Sequence, residues 1–446
     1  MDFILVLGIL LILGLASTRL MKILKLPNVT GYLIVGLIAA LACIGIDALT
    51  DNQEAGLTKE LIDLNEIISD IALGFIALSI GEEFKLSKIK EYGSKIITIT
   101  FLQAFAAVIL VDVCLIILCL TMNLPLEIAI CLGAIATATA PAATLMVIHQ
   151  YKARGPLVDI LLPVVAFDDA IGLIVFAISV AISKVIATGA PITFMSICLL
   201  PLLEILGSLA IGFVLGWLLH LTIKFFKSRN NHVVMLIAFT LIGVGTCATL
   251  NTLKIDGETL EFSNLLCCMM IGATYINLSH DLQKDIAERD FSLVDRWTPF
   301  LFMLFFVLSG AHLVTSAQAI LSTDIQIGIV VAIFAGYLIM RSTGKYIGSY
   351  LGCKITKRQR TITHYLGITL LPQAGVAIGM ANQISGMEAF KASGSGNVIV
   401  TVVLCATLFY ELVGPLLTKW ALQKSGEIPD ENGVYPYELE QEKNQK

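Results

Sequence analysis

Charged residues are scarce in this sequence, and they are scarce along its whole length. Of 446 residues only 14% are Asp, Glu, Lys or Arg, whereas 57% are hydrophobic. A soluble globular domain carries about a quarter charged residues, so the composition excludes an ordinary soluble protein. The net charge of −5 provides no strongly basic surface, and we therefore expect no nucleic-acid partner.

Paired cysteine motifs are also lacking. Ten cysteines are present, but no two have C-x-x-C spacing and none lies in a Cys/His cluster typical of a metal site. We interpret them as small apolar residues within helices. The first residues lack the basic segment and the cleavage site of a signal peptide, so we expect the chain to begin with a membrane span.

Long apolar runs are what the sequence has in abundance. A bilayer core about 30 Å thick needs roughly 20 apolar residues per helix. The apolar runs predict thirteen spans, at 2–18, 30–46, 67–83, 96–120, 125–150, 157–183, 194–223, 232–250, 261–279, 297–314, 325–352, 363–385 and 397–420. We therefore predict an all-α polytopic membrane protein of about 13 transmembrane helices.

The distribution of lysine and arginine predicts the orientation. These residues are concentrated in cytoplasmic loops. With the N-terminus outside, most of the 29 fall in the cytoplasmic loops and the C-terminal tail. The outer loops then hold Lys59, Lys184, Lys254 and Lys391. We expect a multi-pass protein of the cell (inner or plasma) membrane with its N-terminus outside and its C-terminus in the cytoplasm.

Two adjacent carboxylates, Asp168 and Asp169, lie about twelve residues into the sixth span. An ionisable group within a membrane is costly and is a functional candidate by default. Two nearby carboxylates cannot both ionise cheaply in a low dielectric, so a proton is expected on at least one of them unless a cation is bound. This chemistry is that of proton-for-cation exchange. A purely structural pair of capping aspartates is the alternative, which the position in mid-span disfavours.

The eleventh span contains two cationic residues, Lys345 and, one turn earlier, Arg341. A buried ammonium needs a counter-ion, and the aspartate pair is the obvious one. Lys345 is the better partner for a proton cycle because lysine can lose its proton when it is buried, whereas arginine effectively cannot. Arg341 is the alternative partner, and either residue could instead extend toward the membrane surface. Glu411, in the last span, is interpreted as a structural ionisable residue.

Two spans have a proline-centred interruption. The fifth contains Thr137, Thr139 and Pro141 among alanines, and the twelfth contains Pro372 and Gln373. Paired interruptions in two halves of a chain are typical of transporters with inverted repeats, whose site lies near mid-membrane. We predict that these residues line such a site, where unwound backbone exposes carbonyl groups and half-helix ends. A simple proline kink is the alternative for either span.

Seven segments together resemble a known family. They are LPNVTGYLIVGL (26–37), IALGFIALSIGEEFKLSKIKEYG (71–93), TATAPAAT (137–144), FDDAIGLIVFA (167–177), GKYIG (344–348), LPQAGVAIG (371–379) and ELVGP (411–415). In this order they resemble the monovalent cation:proton antiporter-2 family, which includes bacterial sodium/proton antiporters and potassium efflux systems. FDDAIGLIVFA carries the double aspartate of its electrogenic members.

The resemblance implies roles for matching residues. Asp169 would be the principal cation and proton carboxylate, and Asp168 its neighbour, salt-bridged to Lys345 when the cation is absent. Asp169, Asp168 and Thr139 would border the transported metal cation. Pro141 departs from the small polar or apolar residue expected there, which leaves open whether that position coordinates the cation directly.

The resemblance also implies inverted repeats with two broken, crossing helices, an elevator-like core domain, a dimerisation domain and a homodimer. The corresponding segments are 1–95 and 231–320 for the dimerisation domain, 96–185 and 321–422 for the core, 186–230 for a linker helix and 423–446 for a cytoplasmic polar tail, which we expect to be disordered.

We therefore predict a secondary active transporter, not an enzyme, that exchanges Na⁺ or Li⁺ for protons. We expect the exchange to be electrogenic and to serve pH homeostasis. The protein is expected to lie in membrane lipid and to need no cofactor. Potassium efflux members with a glutamine in place of the first aspartate carry a cytoplasmic regulatory domain. This sequence has neither feature, which favours Na⁺ or Li⁺. A K⁺/H⁺ antiporter of the same fold is the alternative.

Two other classes fit less well. An intramembrane aspartyl protease places one aspartate on each of two spans, one of them in a G-x-G-D context, which this sequence lacks. A passive channel would not need titrating carboxylates beside a buried lysine. Proton movement coupled stoichiometrically to cation flux would separate an antiporter from a channel.

Overall fold

The structure, a computed structural model, describes residues 3–24, 28–50, 57–188, 200–226, 228–251, 254–255, 258–259, 262–279, 286–321, 327–430 and 434–437. These residues form a helical bundle. The helices before the first strands are α1 (Phe3–Leu24), α2 (Asn28–Thr50), α3 (Leu57–Glu83), α4 (Leu86–Met122), α5 (Leu126–Ile135), α6 (Pro141–Tyr151), α7 (Pro156–Thr188), α8 (Leu200–Ile223) and α9 (Arg229–Leu250).

Two short antiparallel strands, β1 (Lys254–Ile255) and β2 (Glu258–Thr259), follow, with Lys254 opposite Thr259. The remaining helices are α10 (Asn264–Leu278), α11 (Ile286–Trp297), α12 (Pro299–Leu321), α13 (Ile327–Ile355), α14 (Arg360–Thr369), α15 (Gly375–Gly386), α16 (Glu388–Ala392) and α17 (Ser395–Lys424). Among the described residues, nine helices are long and apolar enough to cross a membrane.

Each predicted span coincides with one helix or, at 125–150 and 363–385, with two half-helices separated by non-helical backbone. The number of membrane crossings stays a prediction. Residues 194–199 of the seventh span lie outside the described residues, as do a few residues at the edges of other spans. Two helices have no predicted counterpart. One is the short α16, and the other is α11, whose apolar face buries Phe291 and Val294.

Three glycines on α13 allow it to lie directly against α4. Gly344, Gly348 and Gly352 are spaced four residues apart and so share one helix face. A Cβ built on Gly348 would lie 2.4 Å from the Leu102 carbonyl oxygen. Small residues at this spacing let two membrane helices approach backbone to backbone. This contact brings the middle of α13 next to α4.

We expect Gly348→Ala to destabilise the protein by about 1–3 kcal/mol, because the added methyl group forces two packed backbones apart. Gly328→Ala, on the same helix, is the matched control, since a Cβ at Gly328 meets no atom within 4 Å. Alanine has the higher helix propensity, so the control is expected to raise stability or leave it unchanged. Thermal unfolding in detergent measures both variants, and equal losses would contradict this account.

The tail differs in part from the prediction. Residues 425–430 and 434–437 are described by the structure, and the expected disorder is wrong for them; residues 431–433 and 438–446 lie outside the described part. Glu427 is 2% exposed and accepts hydrogen bonds from the backbone N–H groups of Leu157, at 2.6 Å, and Val158, at 3.0 Å. Gly155, at the start of α7, has no side chain to cap this helix, so the tail supplies the cap.

Candidate functional site

Helix α7 carries both aspartates into the centre of the bundle. Asp168 is 0% exposed and Asp169 is 3% exposed. On a helix, consecutive side chains point about 100° apart, so the two carboxylates meet different neighbours. These neighbours determine what each carboxylate can do.

Asp168 is held by side chains from three other segments. The Lys345 ammonium on α13 lies 2.5 Å from its Oδ2 oxygen. The Thr139 hydroxyl, between α5 and α6, donates to the same oxygen. The Gln103 amide on α4 donates to Oδ1. Burying an ion pair is tolerated when the remaining polar atoms are satisfied in this way, so Asp168 has a complete set of partners as a carboxylate.

Asp169 has a different environment. Its Oδ1 oxygen accepts a hydrogen bond of 3.3 Å from the Thr139 backbone N–H. Within the part of the chain that the structure describes, no lysine or arginine lies within salt-bridge distance of Asp169. A buried, unpaired carboxylate is costly in a low dielectric. Asp169 is therefore the member of the pair that would gain most from a proton or a bound cation.

Thr139 connects the two carboxylates. Its hydroxyl donates to Asp168 and its backbone N–H donates to Asp169, while its hydroxyl oxygen lies 2.9 Å from Lys345 Nζ. The Lys345 ammonium also donates to the Thr137 carbonyl oxygen. A change in the charge of either aspartate therefore acts on the same unwound segment of backbone.

The two interrupted spans meet at their breaks. The Ala140 backbone N–H donates to the Pro372 carbonyl oxygen at 2.8 Å, and the Gln373 amide donates to the Ile135 carbonyl at 3.0 Å. Gln373 also pairs with the Tyr337 hydroxyl. Each break therefore supplies hydrogen-bond partners to the other. The C-terminal ends of α5 and α14, which carry partial negative charge, both lie here.

Arg341 has a role distinct from that of Lys345. Its guanidinium donates to three backbone carbonyls freed by the breaks, those of Ala136 at 3.1 Å, Ala138 at 2.6 Å and Leu371 at 2.7 Å. It also lies over the Tyr410 ring, 4.4 Å from the centroid. Arginine suits this task because it presents several donors in a fixed plane. The Lys345 ammonium therefore contacts the Asp168 carboxylate, whereas the Arg341 guanidinium contacts backbone carbonyl groups at the two breaks.

The structure thus brings together Asp168, Asp169, Lys345, Thr137 and Thr139, and it places Pro372 and Gln373 at the backbone crossing beside them. Helix α6 begins at Pro141. Glu411 lies on α17 and is 1% exposed, and its Oε2 oxygen has no hydrogen-bond partner among the described residues.

Gln103 is the site residue that sequence reasoning missed. A glutamine in the middle of an otherwise apolar span was an available signal, because an amide within a membrane needs a partner. The glycine spacing on α13 was a second signal, since it predicts a close neighbour for the helix that carries Lys345. Neither signal identifies α4 as the neighbour of α7.

These features define the class: a polytopic helical membrane protein with two broken helices that cross beside a buried ion pair. The chain belongs to the transmembrane sodium/hydrogen exchanger family, whose pattern matches residues 7–424. This membership, with the structural similarity below, confirms the predicted all-α membrane fold.

Two solved structures of one archaeal protein are similar to this chain. Both show the sodium proton antiporter MjNhaP1 from Methanocaldococcus jannaschii. The structure at pH 8 has 16% sequence identity and a TM-score of 0.66 over 94% of this chain and 98% of that chain. The structure from an electron-microscopy map has 16% identity and a TM-score of 0.63 over 97% of this chain and 100% of that chain. No match was found among the curated proteins.

Proposed function

We propose that this chain is an antiporter that exchanges Na⁺ or Li⁺ for protons, with Asp169 as the group that alternates between cation and proton. The observation that carries the proposal is the unequal neutralisation of the two carboxylates. Lys345 lies 2.5 Å from Asp168, whereas among the described residues Asp169 accepts a 3.3 Å hydrogen bond from the Thr139 backbone N–H and has no lysine or arginine within salt-bridge distance. Family membership supports cation and proton as the exchanged ions.

In the proposed cycle, a cation that enters the site displaces a proton from Asp169 and is bound by that carboxylate, with Asp168 and Thr139 beside it. Its charge then competes with the Lys345 ammonium for Asp168. A lysine that loses its carboxylate partner in a buried site releases its proton readily. Lys345 is thus a second proton carrier beside Asp169, and the exchange of about two protons for one cation moves net charge.

The proposal extends to the molecular context. We assign the chain to the cation:proton antiporter-2 branch, in a cell membrane with the N-terminus outside, as a homodimer. Segments 96–185 and 321–422 form the moving core, which includes the two breaks, Asp168, Asp169 and Lys345. Segments 1–95 and 231–320 form the stationary domain, and 186–230 links the two.

Dissipation of a preset pH gradient in proteoliposomes tests the function. Addition of Na⁺ or Li⁺ is expected to collapse the gradient, reported by a pH-sensitive dye, and an imposed membrane potential is expected to change the rate. Liposomes without protein are the control. A response to K⁺ alone would replace the sodium assignment by a K⁺/H⁺ antiporter of the same fold, and no response to any of the three cations would refute antiport.

A further inference from the structure

A polar cavity of about 530 Å³ lies away from the aspartate pair, between α3, α12 and α15. Its lining includes Asn65 and Ser69 on α3, His312 on α12 and Asn382 on α15. Asp168 and Asp169 do not line it. Helix α15 begins at Gly375, immediately after the backbone crossing. The cavity therefore borders the far end of one broken helix.

Asn382 ties α15 to both neighbouring helices. Its amide nitrogen lies 3.2 Å from Ser309 Oγ on α12 and 3.4 Å from Ser69 Oγ on α3. Its amide oxygen lies 3.1 Å from His312 Nδ1. Asn382 is 7% exposed, so these contacts are largely shielded from solvent. In the proposed mechanism α15 belongs to the moving core, whereas α3 and α12 belong to the stationary domain.

One atom of His312 has two partners of opposite kinds. His312 Nδ1 lies 3.1 Å from the Asn382 amide oxygen, which can only accept, and 3.3 Å from the Asn65 amide nitrogen, which can only donate. The Ser69 hydroxyl donates to the Asn65 amide oxygen at 3.2 Å, which fixes the orientation of the Asn65 amide. Nδ1 can serve Asn382 only when it carries a hydrogen, and Asn65 only when it does not.

We infer that His312 is a proton-dependent latch that holds α15 to α12, and so sets the rate at which the broken helix moves. A protonated imidazole carries a hydrogen on Nδ1, and its bond to Asn382 is then charge-assisted. A neutral imidazole with its hydrogen on Nε2 accepts from Asn65 instead. Helix α15 then keeps only the longer contacts of the Asn382 amide nitrogen with Ser309 and Ser69. Histidine is the side chain that changes charge near neutral pH.

The described residues around the cavity include other titratable groups. Among the residues that line the cavity these are Asp70 on α3, Cys247 on α9 and Lys391 on α16. Helix α15 has none in its sequence, and α2 contributes Cys43 to the adjoining apolar cluster around Leu308 and Ala311. Among the described residues that line the cavity, His312 is the one histidine.

The inference rests on the proposed function, because a latch on α15 matters only if α15 moves during exchange. Protonation of His312 is then expected to slow transport as the solution becomes acidic, beyond the slowing caused by protons that compete for Asp169. Between about pH 8 and pH 6 we expect the latch to lower the transport rate by about fivefold, because one added hydrogen bond contributes roughly that factor.

Sodium-22 uptake into proteoliposomes, with equal pH on both faces, tests this. The ratio of the rate at about pH 8 to that at about pH 6 is expected to be about fivefold smaller in His312→Gln and in Asn382→Ala than in wild type. His364→Gln, whose ring nitrogen contacts the Arg360 carbonyl on α14, is the control and should keep the wild-type ratio. An unchanged ratio in both His312→Gln and Asn382→Ala overturns the latch.

Hydrogen–deuterium exchange of the 375–386 segment provides a readout that does not depend on transport. For each protein the measured quantity is the protection of the backbone amides of residues 375–386 against exchange. The wild-type value divided by the His312→Gln value is expected to be larger at about pH 6 than at about pH 8. A ratio that does not change with pH overturns the latch whatever the flux shows. If neither the wild type nor any variant collapses a preset pH gradient when Na⁺, Li⁺ or K⁺ is added, the proposed function fails. Exchange with unaltered pH ratios refutes the latch alone.

Discussion

Asp169→Asn is expected to abolish sodium-driven proton exchange, with a loss of at least about a hundredfold, the scale on which removal of an essential proton-transfer group slows a reaction. The amide cannot take up or release a proton and carries no charge to bind a cation. It can still accept the hydrogen bond from the Thr139 backbone N–H that now reaches the carboxylate at 3.3 Å. The fold is therefore expected to survive, and thermal stability in detergent should equal or exceed that of wild type.

Asp159→Asn is the matched control for this prediction. Asp159 lies in the first turn of the same helix, and its side chain is exposed. The same chemical change there is expected to leave exchange within about twofold of wild type, because exposed substitutions away from special contacts have small effects. Near-normal exchange by a well-folded Asp169→Asn protein would refute the assignment of Asp169 as the carrier.

The positions of most helices followed from the sequence because membrane spans have a strong compositional pattern. The breaks followed too, since Pro141 and Pro372 each interrupt a long apolar run. What the pattern could not provide was which helices touch. The placement of Gln103 against Asp168 depends on the packing of α4 against α13 and α7, which no local feature of the α4 sequence specifies.

The choice between Lys345 and Arg341 shows the same limit. The two residues are one turn apart on one helix face, so periodicity places both toward the same neighbours. The two residues have different partners because only Arg341 reaches the backbone carbonyls of Ala136, Ala138 and Leu371. The positions of those carbonyls depend on tertiary packing. The described part of the tail, residues 425–430 and 434–437, was mispredicted for a related reason. Its composition is polar, but Glu427 is fixed by two backbone N–H groups at the start of α7, and composition does not report such a contact.

A second substitution with a large expected effect distinguishes the roles of Lys345 and Arg341. Lys345→Gln is expected to leave a folded protein whose exchange no longer responds to an imposed membrane potential. Without the ammonium, Asp168 lies buried beside Thr139 and Gln103 as an uncompensated charge, and it is expected to take up a proton instead. The second proton carrier of the proposed cycle is then lost. Initial rates in proteoliposomes, measured at several imposed potentials, test this.

Arg341→Gln is expected to act on stability rather than on the voltage response. The change removes the donors to Ala136, Ala138 and Leu371. Each hydrogen bond to a charged group contributes about 1.5–3 kcal/mol, so the crossing of the two breaks should become markedly less stable. Thermal unfolding in detergent measures the loss. A lost voltage response in Arg341→Gln, with a normal response in Lys345→Gln, would mean that the arginine is the proton-linked partner.

A double variant decides whether the Lys345–Asp168 contact is the cause. Asp168→Asn together with Lys345→Gln removes both charges and leaves no buried ion without a partner. Because breaking a buried pair by removing one member costs about 3–5 kcal/mol, whereas removing both members costs far less, the double variant should be more stable than the sum of the two single losses predicts. Additive losses would show that the ammonium and the carboxylate do not depend on each other, and the assignment of Lys345 as the partner of Asp168 would then be wrong.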